Sequence, residues 1–345
     1  MLAEKTEYYI YKNMITDKKI VITGGGGFIG TNLAKRLADH NQIVLLDVDF
    51  DKNSFAFSDL KTHRNVQTVR ADVLDISGVE RVISGAQIVI HMAAMVGVQE
   101  VLSDSLYTLD VNYIGTSNLL KILSRSQKCE RAILFSTSEI YGSNALRISE
   151  DGDTLLSTAQ NARWCYCISK LAAEHLAFSY FRQKGLPVVI VRPFNVFGPL
   201  RVGDHVVLRF IMKALKNEDV EVYGDGTQIR AWCYIDDFCN ALLKAMEVKE
   251  AVGQAFNIGN PLNTLTIYDL AKRIISLCDS KSKIVFKSPD FKDIDLRIPD
   301  ISKSGEILKF TPEIEIEEGL TKTIEWVREN FDQLNSRIQK RKYVV

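Results

Sequence analysis

The chain has 345 residues, 46% of them hydrophobic and 25% charged, with 43 Lys+Arg balanced by 43 Asp+Glu. This describes an ordinary globular chain of about two domains, with neither a basic field for nucleic acid nor an acidic tail. No run approaches the ~18 apolar residues of a membrane span, and the opening "MLAEKTEYYIYKNMITDKK" carries charges in place of an apolar signal core, so a cytoplasmic location is expected.

In chain order, "KKIVITG" reads as a strand, "FIGTNLAKRLADH" as a helix, "QIVLLD" and "VQTVRAD" as strands, "ISGVERVIS" as a helix and "AQIVIHMAA" as a strand. A long helix over roughly 104–126, the strand "RAILFSTS", a second long helix over roughly 163–184 and the strand "LPVVIVRPF" follow. Near-continuous apolar strands separated by amphipathic helices predict an α/β fold. The expected form is a doubly wound parallel Rossmann sheet whose ligand sits at the carboxyl ends of the strands. Repeats, low-complexity stretches and flexible linkers are absent, so a second, smaller α/β domain has to be interleaved with the first. The boundaries read as 18–192 plus 233–258 for the cofactor domain and 193–232 plus 259–335 for the substrate domain, with 1–17 and 336–345 as extensions.

The first strand ends in "TGGGGFIG", with Gly24, Gly27 and Gly30 spaced to bring backbone N–H groups and a helix N-terminus to a pyrophosphate. Asp47, 23 residues after Gly24, ends the second strand, where its carboxylate can accept both hydroxyls of an adenosine ribose. Asp49 and Asp51 follow, and three acidic residues would repel a 2'-phosphate, which favours NAD over NADP. Tyr166 and Lys170 form a Tyr-x-x-x-Lys pair on one helical face. Tyr8/Lys12, Tyr180/Lys184 and Tyr268/Lys272 share that spacing, but only Tyr166 lies in the first turns of a helix that starts at the ligand edge; Tyr180 is about 21 Å further along. A lysine and a positive nicotinamide ring beside the phenol would pull its pKa from about 10 towards neutrality. The six cysteines lack a Cys-x-x-Cys pair and a nearby His at metal spacing, so they read as reduced thiols with no metal centre, although Cys165 and Cys167 flank Tyr166.

With these pieces in place the chain resembles the extended short-chain dehydrogenases that act on nucleotide sugars. The likeness rests on "TGGGGFIG", Asp47, "ADV" (71–73), "HMAA" (91–94), "NYIGT" (112–116), "STSEIYG" (136–142), "YCISK" (166–170), "RPFNVFGP" (192–199), "YGDGTQIRAWCYIDD" (223–237), "FNIGNP" (256–261) and "RIPDISK" (297–303). The resemblance implies that Thr137 holds the sugar O4, Tyr166 acts as base and Lys170 grips the nicotinamide ribose. It also implies that Phe28, Ile29, Asp72, Val73 and Ala93 line the NAD site, while Ser138, Asn195, Arg230 and Arg297 contact a nucleotide-diphosphate sugar, most simply a UDP-sugar. Members pair their two long helices across a two-fold axis, which implies a homodimer.

All of this family begin by removing hydride from the sugar C4 and differ in how they treat the 4-keto sugar. The Thr137-Ser138-Glu139 run resembles the pattern of UDP-glucuronate decarboxylases, also seen in GDP-mannose dehydratases, and "RIPDISK" is similar to the decarboxylases' Arg-x-Pro segment. By that likeness Glu139 would position the substrate or relay a proton, and Arg297 would protonate C5. Two departures leave a 4-epimerase and a 4,6-dehydratase as alternatives. "HMAAMVGVQEVLSDS" is closer to the epimerase and dehydratase loop, and His205 stands where many decarboxylases have Arg. A scaffold that binds NAD without turnover is the non-enzymatic alternative, and joint retention of Thr137, Tyr166 and Lys170 argues against it.

Overall fold

The computed structural model describes residues 15–156, 158–288 and 294–342. Tyr8/Lys12 and most of the 1–17 extension lie outside the described residues.

Side-chain alternation fixes the architecture. In β1 (Lys19–Thr23) Ile20 and Ile22 join one hydrophobic core, and Val21 joins a second on the opposite face. The same division runs through β2 (Gln42–Asp47), where Ile43 and Leu45 oppose Val44 and Leu46. Strands apolar on both faces must be covered on both, and helices supply the cover. Among the described residues seven strands form one parallel sheet. It holds β3 (Val66–Arg70), β4 (Ile88–His91), β5 (Arg131–Phe135), β7 (Val188–Pro193) and β12 (Ala255–Ile258) besides β1 and β2, in the order β12-β7-β5-β4-β1-β2-β3. The order reverses between β1 and β4, which is where a doubly wound sheet opens a ligand crevice.

Helix α1 (Phe28–Leu37) follows β1, and α2 (Ile76–Ile83) precedes β4. After the short α3 (Val98–Ser103), the first expected long helix runs from α4 (Ser105–Leu109) through one π turn (Asp110–Ile114) into α5 (Gly115–Leu123). The extra residue of the π turn places Asn112 inward. Its Oδ1 accepts from Met95 N at 2.8 Å, and its Nδ2 donates to Met95 O at 3.2 Å and to Ser169 Oγ at 3.1 Å. The second long helix is α6 (Cys165–Lys184).

The smaller domain centres on a four-stranded sheet in the order β13 (Thr264–Thr266), β10 (Ile229–Ala231), β15 (Leu296–Pro299), β6 (Asn144–Ile148). Two short parallel pairs, β8 (Val196–Phe197) with β11 (Cys233–Tyr234) and β9 (Val220–Tyr223) with β14 (Ile284–Lys287), complete it. Strand β6 departs from the sequence boundaries: it lies inside 18–192 yet pairs with β15. A chain leaving the carboxyl end of β5 is already at the crevice, and there the smaller sheet offers it an open edge. At the other terminus α12 (Phe331–Lys342) takes up part of the segment 336–345 that reads as an extension.

A buried network braces the two domains. Arg192 donates to both Glu174 oxygens (Nε 3.0 Å, Nη2 2.7 Å) and to Tyr141 Oη (2.6 Å), and Tyr141 donates to Asn257 Oδ1 (2.8 Å). Asn257 in turn donates to Ile148 O of β6 at 2.9 Å. Arg192 is 7% and Glu174 3% exposed, so removing either partner leaves a buried charge without its hydrogen-bonded counter-charge. Glu174→Ala is expected to cost about 3–5 kcal/mol in urea unfolding; a loss below about 1 kcal/mol would mean that solvent reaches the pair.

Candidate active site

The larger cavity, about 520 Å³, opens at the carboxyl edge of the sheet around the β1/β4 reversal. Gly24, Gly27, Phe28, Ile29 and Gly30 form one wall, Asp47, Asp72 and Val73 the far end, and Ala93, Tyr166 and Lys170 the near end. All residues expected at the cofactor therefore border one space. Two glycines have a steric reason. Gly24 has φ +67°, and a Cβ there would sit 2.8 Å from Ala93 N; a Cβ on Gly30 would sit 2.8 Å from Gly25 Cα. This bare backbone at the N-terminus of α1 is a cradle that fits a pyrophosphate.

Asp47 is 8% exposed, and its Oδ2 accepts from Gly26 N at 3.0 Å and its Oδ1 from Asp49 N at 3.2 Å. Burial pushes its carboxyl up, while those backbone donors pull the other way. The three carboxylates expected to repel a 2'-phosphate are placed differently from one another. Asp51 is turned outward in an ion pair with Arg70, Asp49 accepts from Asp51 N and Lys52 N, and Asp47 alone of the three borders the cavity. At the far end Tyr107 Oη donates to Asp72 Oδ2 at 3.3 Å, a contact sequence reasoning missed.

At the near end the Thr137 hydroxyl acts on the Tyr166 phenol. Lys170, 2% exposed, donates to Phe135 O at 2.9 Å. Burial lowers Lys170 to about 8, partly offset by Glu174, so it is still mainly charged at neutral pH. Burial pushes the Tyr166 phenol up, Glu139 adds to the rise, and Thr137 and Arg297 only partly oppose it. The protein by itself therefore stores the proton on Tyr166, and a positive nicotinamide ring is the charge that would favour its release. His91, between Thr23 Oγ1 (2.7 Å) and Thr116 Oγ1 (2.9 Å), is driven down to about 3 by burial and by Lys170, so it is a neutral structural link.

A second cavity of about 210 Å³ adjoins Tyr166. Thr137, Ser138, Glu139, Asn195 and Arg297 border it, facing an apolar wall of Val96, Val98 and Val101. Asn195 has φ +35°, rare for a residue with a side chain, and is held there by Nδ2 donating to Ala231 O at 3.0 Å. Arg230 is buried but borders neither cavity. It donates to Ile229 O and reaches the site through its charge on Glu139. Sequence reasoning missed Arg163, which also borders this cavity. Its Nη1 lies 2.7 Å from Glu139 Oε2 and its Nη2 3.3 Å from Oε1, while Arg297 Nη1 stands 3.7 Å from Oε1. Burial opposes ionisation of Glu139, but Arg297, Arg163 and Arg230 outweigh it and hold its carboxyl below the ordinary value. Arg163 was findable, since it lies three residues before Tyr166 at the helix start that singled out that tyrosine. Arg201, 5.3 Å from the Phe28 ring, and His205 border the larger cavity and were missed as site residues.

A glycine cradle at the switch point, a ribose carboxylate and a Tyr/Lys pair together define a dinucleotide-dependent enzyme of the Rossmann type. Residues 20–259 match the NAD dependent epimerase/dehydratase family. UDP-N-acetyl-alpha-D-glucosaminuronate decarboxylase of Bacillus cytotoxicus is 36% identical over 321 residues, 90% of this chain and 98% of that protein. UDP-glucuronic acid decarboxylase 1 of Xenopus tropicalis is 32% identical over 318 residues, 91% of this chain and 73% of that protein. The structure of UDP-glucuronic acid 4-epimerase from Bacillus cereus in complex with UDP-glucuronic acid and NAD superposes with a TM-score of 0.83 at 27% identity, covering 90% of this chain and 99% of that one. The chain belongs to the NAD-dependent epimerase/dehydratase family and is an enzyme with NAD as its cofactor.

The electrostatics of Tyr166 give a direct test. In an ultraviolet titration of the NAD-free protein, the phenolate signal lost in Tyr166→Phe should appear only above pH about 10, and at lower pH once NAD is bound. A Tyr166 signal near neutral pH without NAD would contradict the burial argument.

Proposed function

We propose that the protein decarboxylates a UDP-uronate through transient oxidation at C4. The observation that carries this reading is the charge of the smaller cavity: two buried guanidiniums, Arg163 and Arg297, border it with one carboxylate, Glu139. Two positive charges against one negative leave a surplus that suits an anionic ligand; the diphosphate of any nucleotide sugar can answer the charge of Arg297, and a carboxylate on the sugar adds a further match beside Tyr166. The relatives whose names specify uronates support the same choice.

Bound NAD supplies the hydride acceptor and returns the hydride at the end. The chain's residues supply the rest. Thr137 and Tyr166 hold O4, and Tyr166 takes its proton as C4 becomes a ketone. The substrate is then a β-keto acid. Its C5–C6 bond breaks, carbon dioxide leaves and the electron pair moves onto O4, where the Thr137 hydroxyl and the newly protonated Tyr166 stabilise the enolate. C5 next takes a proton from solvent or a site acid, and return of hydride to C4 makes the sequence redox-neutral. Glu139 enters as an anion. Its lowered carboxyl pKa suits positioning Arg163 and Arg297, and disfavours the proton donation to O6 that a 4,6-dehydration requires.

The test offers the NAD-loaded protein UDP-glucuronate, its 2-acetamido analogue and neutral UDP-hexoses, with products read by mass. Loss of carbon dioxide from an acid sugar is expected. Unchanged mass with inversion at C4 would make the protein a uronate 4-epimerase, and loss of water from a hexose would overturn the reading. Tyr166→Phe should abolish reduction of bound NAD. Glu139→Gln should retain that reduction but slow product formation by about 100-fold; normal turnover would leave Glu139 a structural role only.

We further infer a cytoplasmic homodimer. All six cysteines are free thiols. The long helices leave apolar side chains in solvent, Leu106 at 76% exposure with Ile114, Tyr113 and Ile168, which supports a helix-to-helix contact between two copies. Light scattering is expected to give twice the chain mass of 38.9 kDa, and a monomer would refute this contact.

A further inference from the structure

We propose that Arg201 clasps the pyrophosphate of bound NAD and keeps the cofactor seated through the catalytic cycle; the inference rests on NAD as the cofactor and not on the choice of sugar. Two cations border the larger cavity, Lys170 and Arg201. His205 borders it as a neutral ring, because burial and the charges of Arg201 and Arg209 hold it well below its ordinary value. Lys170 is already engaged by Phe135 O. Arg201 is half-buried, its Nε is shut off from solvent with no hydrogen-bond partner, and none of the carboxylates among the described residues stands within ion-pair distance of it. The acid three residues on, Asp204, accepts from Arg209 Nη1 at 3.0 Å. Burial brings Arg201 down to about 10, against the pull of Asp204 and Tyr166, so it is charged at neutral pH. A desolvated cation on a cavity wall, with no protein anion in contact, is a seat for an anionic ligand.

The loop that carries Arg201 joins β8 to the helix Val206–Leu215 and is fastened to α1. Asn32 of α1 donates through Nδ2 to Pro199 O at 3.3 Å, and Leu200 belongs to the same hydrophobic core as Phe28. Leu200 holds φ +70°, a strained conformation for a residue with a side chain, which persists where the surroundings enforce it. The guanidinium next to it lies 5.3 Å from the ring of Phe28, the first residue of α1, and so beside the glycine cradle. A helix N-terminus answers only about half a charge of a pyrophosphate dianion. Arg201 adds a full charge on a planar fork suited to phosphate oxygens. A nucleotide sugar also carries a diphosphate, but Arg201 borders the larger cavity and not the one lined by Thr137 and Glu139, which favours the cofactor. Retention matters because the hydride taken from C4 has to return from the same NADH. A cofactor held by α1 on one side and by a loop leaving β8 of the smaller domain on the other is slow to depart.

The experiment measures calorimetric affinities of the protein freed of cofactor for NAD, ADP-ribose, adenosine and UDP, together with the rate at which NADH leaves, read from its fluorescence after mixing with excess NAD. Arg201→Gln should weaken NAD and ADP-ribose by about 10-fold or more, speed NADH release by about 5-fold or more, and leave adenosine and UDP within about 3-fold. A smaller loss for the two pyrophosphate ligands, or a smaller change in NADH release, overturns the proposal. A fall in UDP affinity as large as that in NAD makes Arg201 a contact of the nucleotide sugar and overturns it too, as does equal weakening of all four ligands. Should Arg201→Gln not fold, a crystal structure of the wild type with NAD decides: a guanidinium within hydrogen-bond distance of a pyrophosphate oxygen supports the assignment, and a guanidinium turned elsewhere overturns it.

Discussion

A carboxylate stripped of water is tolerated only if the fold brings cations to it, and the site is organised around that requirement at Glu139. The residue sits in the turn just past β5, where the strand delivers Thr137 and Ser138 to the crevice. Its counter-charges come from far along the chain. Arg163 arrives at the start of α6, and Arg230 and Arg297 arrive on neighbouring strands of the smaller sheet. The ion cluster is therefore also a joint: it ties the catalytic helix and both domains to a single point beside Tyr166.

The same burial that makes the cluster necessary tunes the acid–base groups around it. Tyr166 keeps its proton until an external positive charge arrives, Lys170 stays charged at neutral pH by a narrow margin, and Glu139 stays ionised. On the proposed role of Tyr166 as base, a positive nicotinamide ring is the charge that would favour release of its proton.

Much of this was legible in the sequence. The alternation of Ile20, Val21 and Ile22 gave the double-faced sheet, and the Gly24/Gly27/Gly30 spacing with Asp47 located the crevice. Local pattern cannot report a side chain's eventual direction, so the turning of Asp51 to Arg70, away from the cavity that Asp47 borders, was not legible. The phenol's surroundings were legible only in part: Lys170 is four residues away and obvious, whereas the anion of Glu139 and the loss of solvent depend on tertiary packing. Strand β6 escaped because its five residues carry no pattern that distinguishes one sheet from the other; only the edge it meets decides. Arg163 stands close to Tyr166 in the chain, but its pairing with Glu139 is set by tertiary packing.

The placement of β6 has a consequence for how such enzymes can diversify. Because the smaller sheet takes one strand from between β5 and α6, and the large sheet takes β12 back from beyond the smaller domain's first segments, no contiguous cassette encodes the smaller domain. Recombination cannot exchange that half as a module without cutting a sheet. A new sugar preference then has to arise by point substitution within the existing frame, at positions such as the valine wall, where a change alters the cavity without touching the joint.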